Sequence, residues 1–234
     1  MEWYWLGEYA PKLLAGTWLT IQLLALAVFF GMLLAIPIGL VQVTGPRILS
    51  LPARAFCTTF RGTPLLIQLW LLYYGLGSIF PYIDGIRTSF LWPYLRDAFP
   101  YAVVAFTLSV AAYEGEIMRG AFKNVPKGEL EAGIASGMSR FQLLRRIWLP
   151  RALQNVLPTL AGEMVLTLKA TPLAATITVY EIFGVGTIIR QETYRIYEPL
   201  LLIAGVYICL TGIIVVLFNW LEGRVPKAAG QLCL

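Results

Sequence analysis

The sequence predicts an all-α integral membrane protein with five membrane-crossing helices, and three observations carry that prediction. Of 234 residues, 58% are hydrophobic and only 13% are charged, about half the charged share of a soluble domain. Charge-free apolar runs recur along the chain, as between Lys12 and Arg47. Lys and Arg also gather on alternate connecting segments, as membrane proteins require.

About 20 apolar residues cross a hydrocarbon core about 30 Å thick. A first span therefore fits Thr17 to Val43, a second Gly62 to Tyr82, and a fifth Pro199 to Leu221. The apolar part of the third, Pro100 to Tyr113, is too short alone, so the helix is expected to continue through Glu114 and Glu116 towards Lys123. The fourth, about Ala152 to Leu168, contains one acid, Glu163. Leu173 to Arg195 is only partly apolar and reads as a non-spanning segment with a short helix. Residues 47–61 are read as an inner loop carrying Arg47 and Arg54.

Five spans put the termini on opposite sides. With the N-terminus outside, Lys and Arg favour the inner segments about two to one. Arg119, Lys123, Lys127, Arg140, Arg145, Arg146, Arg151, Arg224 and Lys227 then lie inside, against Lys12, Arg87, Arg96, Arg190 and Arg195 outside. This asymmetry accounts for the formal charge of +5 without a nucleic-acid partner. The opening MEWYWLGEYAPKLLAG reads as an amphipathic lead-in to the first span rather than a signal peptide. Cys57, Cys209 and Cys233 form no CxxC pair and histidine is absent, which argues against a zinc site and for unpaired thiols. Trp3, Trp5, Trp18, Tyr73, Tyr74, Tyr82, Trp92 and Tyr94 read as interfacial anchors. Gly31, Pro37 and Gly39 serve bending or close packing of the first helix.

Residues 130–150, LEAGIASGMSRFQLLRRIWLP, fall on an inner segment. Gly128 to Ser136 favours a helix, with Glu129 and Glu131 near its positive end. Gly137 allows a break, and Arg140 to Trp148 reads as a second helix with Phe141, Leu144 and Trp148 on one face. Pro150 marks a change of direction into the fourth span. The small residues Ala132, Gly133, Ala135, Ser136 and Gly137 would let another backbone approach. The stretch is therefore either a docking element or an amphipathic loop resting on headgroups.

The spacing resembles the EAA loop of importer-type ABC permeases: Glu-Ala-Ala, three residues, Gly, nine residues, Ile, one residue, Leu-Pro. Here it runs Glu131, Ala132, Gly133, then Gly137, then Ile147, Leu149 and Pro150, with Gly133 as the one departure. FRGTPLLIQLWLLYYG (60–75) and AYEGEIMRGAFKNVPKGELEA (112–132) resemble signatures of the polar amino-acid permease subfamily, which includes histidine, lysine, arginine, ornithine and octopine systems.

The resemblance implies a type I ABC importer-like permease, N-terminus periplasmic and C-terminus cytoplasmic, in a bacterial inner membrane. Residues 1–234 would form one transmembrane domain, with a cytoplasmic coupling loop at 126–150. Glu131, Ala132, Gly133, Ser136, Gly137 and Met138 would contact the ATP-binding subunit. The implied partners are two ATP-binding subunits, a homologous permease subunit forming a heterodimer, and a periplasmic solute-binding protein. The sequence contains no GxxxxGK[ST] and no Gly-Lys dipeptide, so it lacks a P-loop phosphate cradle. ATP and Mg are accordingly expected on the partner subunits, with no cofactor and no covalent catalysis in this chain.

An ionisable group at membrane depth usually faces protein or a water-filled path. Glu163 shares a helical face with Thr167, Ala170 and Thr171. It either contacts the ammonium or guanidinium of a substrate or pairs within the subunit, as with Lys169; the resemblance favours the pathway. Many relatives read Lys-Asp-Thr-Ser-Leu where this chain has Lys169, Ala170, Thr171, Pro172 and Leu173, so a second acid is missing. Their Asn before the glutamate is Gly162 here. Glu114 and Glu116 point about 200° apart, and Glu114 either pairs with Lys or Arg at the interface, the preferred reading, or contacts ligand. Arg61, Gly62, Thr63 and Pro64 read as a helix start, or else Thr63 and Gln68 help line the pathway. The expected cargo is a polar amino acid, with a basic one or an opine preferred. Another small solute such as a sulfur amino acid is the alternative, ahead of a stand-alone channel or carrier and of a membrane scaffold.

Overall fold

The computed structural model describes residues 5–224; Trp3, Lys227 and Cys233 lie outside them. Among the described residues the chain is helical, with short connections and no strand. The elements are α1 (Trp5–Thr44), α2 (Arg47–Gly62), α3 (Leu65–Tyr82), α4 (Ala98–Asn124), α5 (Lys127–Ala135), α6 (Arg140–Ile177), α7 (Ile182–Thr193) and α8 (Tyr197–Arg224). A single helical turn, Trp92–Leu95, precedes α4.

α1, α3 and α8 are long and apolar enough to cross a membrane, and the pair α6 and α7, bent by 51°, makes a fourth if counted as one span. α4 has 27 residues, a length of about 40 Å at 1.5 Å per residue, but carries Glu114, Glu116, Arg119 and Lys123 in its second half.

The axis of the bundle is the α1–α4 pair, the most extensive helix contact. Ala27, Gly31, Ala35 and Gly39 are all buried, and a four-residue spacing puts them in one row. This small-residue row lets the two backbones approach, the usual solution for helices in lipid. A Cβ on Gly39 would lie 2.8 Å from Met118 Cβ, 2.9 Å from the Arg119 nitrogen and 3.0 Å from the Gly115 carbonyl oxygen. Close packing, rather than bending, is thus what Gly31 and Gly39 provide.

Three sequence expectations need correction here. Residues 47–62 form a helix, not a loop: α2 begins after Gly45-Pro46 and buries Ser50 and Cys57, with Gln42 Nε2 donating to Cys57 Sγ at 3.4 Å. Pro150 does not turn the chain. Leu144–Trp148 widens into a π-turn in which Leu149 N bonds to Leu144 O, and this extra residue per turn accommodates the missing proline N–H. The hairpin's second helix and the fourth span are therefore one continuous element, α6. Trp5, expected at an interface, is 1% exposed and packs with Tyr9, Ile182, Ile189 and Ile203. Trp18, Tyr74, Tyr82 and Tyr94 are exposed.

The partly apolar stretch after residue 173 holds the bend. Thr171–Ile177 tightens to a 3-10 turn, Thr178 adopts a left-handed conformation (φ 67°), and Glu181 caps α7. Glu181 is fully buried yet saturated with donors. Its Oε1 accepts from Gly184 N at 2.8 Å. Its Oε2 accepts from Phe183 N at 3.0 Å, the Tyr207 hydroxyl at 3.0 Å and Thr20 Oγ1 at 3.3 Å. One carboxylate thus ties the bend to α1 and α8.

Candidate translocation cavity and coupling hairpin

A cavity of about 490 Å³ opens between the α2–α3 joint, α4 and α6, within the range of small-ligand sites. Arg61, Thr63, Ser109, Tyr113, Glu163 and Thr167 supply its polar walls. The joint exists because Pro64 cannot continue α2: Thr63 and Pro64 are extended, and α3 restarts at Leu65. α4 contributes Ser109 and Tyr113 at helical spacing, and α6 contributes Glu163, Leu166, Thr167 and Ala170 along one stripe.

Glu163 lines this cavity and makes no ion pair with Lys169 or any other described residue. Thr167 sits beside it, its hydroxyl donating to the Glu163 carbonyl at 2.9 Å. Thr63 lines the opposite wall. Gln68 and Thr171 are not among the lining residues. Gln68 is buried and its Nε2 donates to Phe60 O at 2.8 Å, Thr63 O at 3.0 Å and Thr63 Oγ1 at 2.9 Å, so it stitches the joint from behind. Thr171 is fully buried and shares a 2.9 Å hydrogen bond with the Tyr207 hydroxyl. A helical stripe predicts which residues share a side. It does not predict where the helix tightens, and the 3-10 turn starting at Thr171 carries that residue away from the cavity.

Ala170, where the resemblance implies an acid, is on the cavity wall. Glu114 does not pair with a cation. It is 2% exposed and its Oε2 has no hydrogen-bond partner. The ion pairs go to Glu116 instead, 2.7 Å from Arg119 Nη2 and 4.0 Å from Arg61 Nη1.

The stretch 126–150 folds as a helical hairpin. α5 ends at Ala135, Gly137 takes a left-handed conformation (φ 78°), and Ser139 opens α6 with a capping box closed by Gln142. Glu131, Ala132, Ser136 and Gly137 are exposed on the outer surface, and Met138 is half-buried. Gly133 is not on that surface. It is buried in the seam of the hairpin, where a Cβ would come within 2.6 Å of Leu143 Cδ1 and 2.9 Å of Ile147 Cδ1. Phe141 also departs from its expected face; it is 68% exposed, while Trp148 turns inward to α4. Glu129 accepts from Arg151 Nε at 2.8 Å, bracing α5 against α6.

The geometry is that of a helical chain with apolar spans, a polar cavity at a broken helix and a helical hairpin at one end, and the comparisons with known proteins make it a transport permease. Residues 19–227 match the family described as binding-protein-dependent transport system inner membrane component, and the chain belongs to it. It is 44% identical over 210 residues to the octopine transport system permease protein OccM of Rhizobium radiobacter, spanning 90% of this chain and 84% of the relative. It is 35% identical over 209 residues to the histidine/lysine/arginine/ornithine transport system permease protein HisM of Escherichia coli K12, spanning 89% and 87%. Its fold matches a solved amino acid ABC transporter determined with histidines, with a TM-score of 0.80 and 29% identity over 96% of this chain and 99% of that one.

Proposed function

We propose that this permease moves a polar, basic amino acid or opine into the cytoplasm by alternating access, through the cavity lined by Glu163. The observation that carries this reading is that cavity, which faces Glu163 without an ion pair, in a chain whose relatives include octopine, nopaline and basic amino-acid permeases. A carboxylate that makes no ion pair within the chain at membrane depth is suited to receive a cation from a substrate. Thr63 and Thr167 offer hydroxyls on opposite walls. Gln68 and Thr171 act indirectly, by fixing the joint and the end of α6.

On this reading the bundle has five spans, α4 being the third and α6 the fourth, with the N-terminus periplasmic and the C-terminus cytoplasmic. The chain is one transmembrane domain in a bacterial inner membrane, and residues 126–150 form the cytoplasmic coupling hairpin. Two ATP-binding subunits hold ATP and Mg, and one of them receives Glu131, Ala132, Ser136, Gly137 and Met138. A homologous permease completes a heterodimer, and a periplasmic solute-binding protein delivers the substrate. This chain performs no covalent step.

Reconstitution tests this directly. The complex of this chain with its ATP-binding and permease partners, in proteoliposomes with the solute-binding protein, should accumulate labelled arginine or octopine only with ATP. Accumulation without ATP, or none of any basic amino acid or opine, would overturn the proposal.

A further inference from the structure

The cavity contains a second charge that this function does not use. Arg61, in the last turn of α2, lines the same space as Glu163 on α6, and among the described residues these two are the charged members of its lining. No ion pair joins them. Arg61 is loosely engaged: its contact with Glu116 is 4.0 Å, its guanidinium carbon lies 5.4 Å from the Tyr113 ring centroid, and its side chain is 45% exposed. Glu116 does not depend on it, because Arg119 holds the same oxygen at 2.7 Å through Nη2 and 2.9 Å through Nε.

We propose that Arg61 and Glu163 form a zwitterion clamp, Arg61 taking the substrate's α-carboxylate and Glu163 a cationic group of the same molecule. The clamp rests on the reading of this cavity as the substrate path. Two opposite charges that face one cavity without meeting leave each able to take a counter-charge from a ligand. A ligand with both charges satisfies both. A simple amine neutralises Glu163 but leaves Arg61 uncompensated and adds nothing for it. The planar guanidinium fork matches a carboxylate in two parallel hydrogen bonds, and the Tyr113 ring supports its face. When Arg61 swings to the ligand, Glu116 keeps its bond to Arg119, so no buried carboxylate is stranded. With alanine at 170, Glu163 is the one carboxylate on the wall, and the clamp has one anionic and one cationic jaw. The cargo class that follows is an amino acid with a free carboxylate, and not the corresponding amide or amine.

The test is equilibrium binding of radiolabelled L-arginine to the purified complex in nanodiscs without the solute-binding protein, with L-argininamide as competitor. Argininamide keeps both cationic groups and lacks the carboxylate. Arginine should bind the unmodified complex at least about tenfold more tightly than argininamide, the usual worth of a charged hydrogen-bonded contact. Arg61→Gln should erase that preference by weakening arginine alone, with Arg61→Lys in between. Glu163→Gln should weaken both ligands alike. Equal loss of both ligands in Arg61→Gln, or no loss of either, would overturn the clamp while leaving the substrate path intact. Failure of the unmodified complex to bind arginine, lysine or octopine would overturn both.

Discussion

The indole Nε1 of Trp148 donates a 2.9 Å hydrogen bond to the carbonyl of Phe122, and the two rings meet at 74° with centroids 5.5 Å apart. This bond crosses from the base of α6 to the last turns of α4, so the hairpin is fastened to the bundle beside its own entry. Trp148→Phe keeps the ring contact and removes the donor. It should lower the stability of the complex by about 1 kcal/mol and reduce substrate moved per ATP. A thermal melt and paired uptake and ATPase assays check both; an unchanged melt would mean the bond contributes nothing.

Glu163→Gln keeps the shape of the cavity wall and removes its negative charge. Substrate-stimulated ATP turnover should be lost in the reconstituted complex, while the complex still assembles. Stimulation equal to the unmodified protein would remove Glu163 from the path.

Gly137 has no neighbour within 4 Å of a would-be Cβ, so within this chain a substitution there acts through its left-handed backbone, and the other route open to it is contact with the ATP-binding subunit. Gly137→Val should cost about 1–3 kcal/mol of local strain and uncouple the hairpin, leaving ATP hydrolysis without uptake. Gly137→Asn, which tolerates that conformation, should retain most uptake. Equal behaviour of the two variants would point to surface contact rather than geometry.

Gly39→Ala presses a methyl against the backbone of Arg119 and Gly115, which cannot give way as a side-chain tip can. Overpacking of this kind costs about 1–3 kcal/mol. Gly162→Ala, at a site with open space around it, should be neutral in the same thermal melt, and a larger loss there would contradict the packing described.

Tyr207→Phe removes one donor to Glu181 and the partner of Thr171 together. Because the other three donors to Glu181 remain, the loss should stay near 1–3 kcal/mol, the range for a charged hydrogen bond. Thermal unfolding of the variant against Thr20→Val distinguishes the two arms of the network.

Long apolar runs made α1, α3 and α8 legible in the sequence, and the spacing from Glu131 to Pro150 made the hairpin legible too. The errors have a common physical source. α2 was hidden because Arg47, Arg54 and Arg61 interrupt its hydropathy, although an amphipathic helix lying on the bundle needs only one apolar stripe. Continuity through Pro150 was hidden because a proline rule applies to regular α-helix and a π-turn relaxes it. Gln68 and Thr171 lie away from the cavity, a placement that sequence spacing cannot register because it depends on a joint and a tightened turn. The hydrogen bonds of Glu181 with Thr20, Phe183, Gly184 and Tyr207 link residues up to 161 positions apart, which no local pattern encodes.

The continuity of the helix through Pro150 has a mechanical corollary. From Arg140 to Glu163 the chain runs as one helical element, about 35 Å long at helical rise. A tilt of a few degrees imposed at its foot by a closing motor would swing the far carboxylate by an ångström or two, enough to part it from a bound ion, whereas a jointed elbow would have absorbed the same stroke.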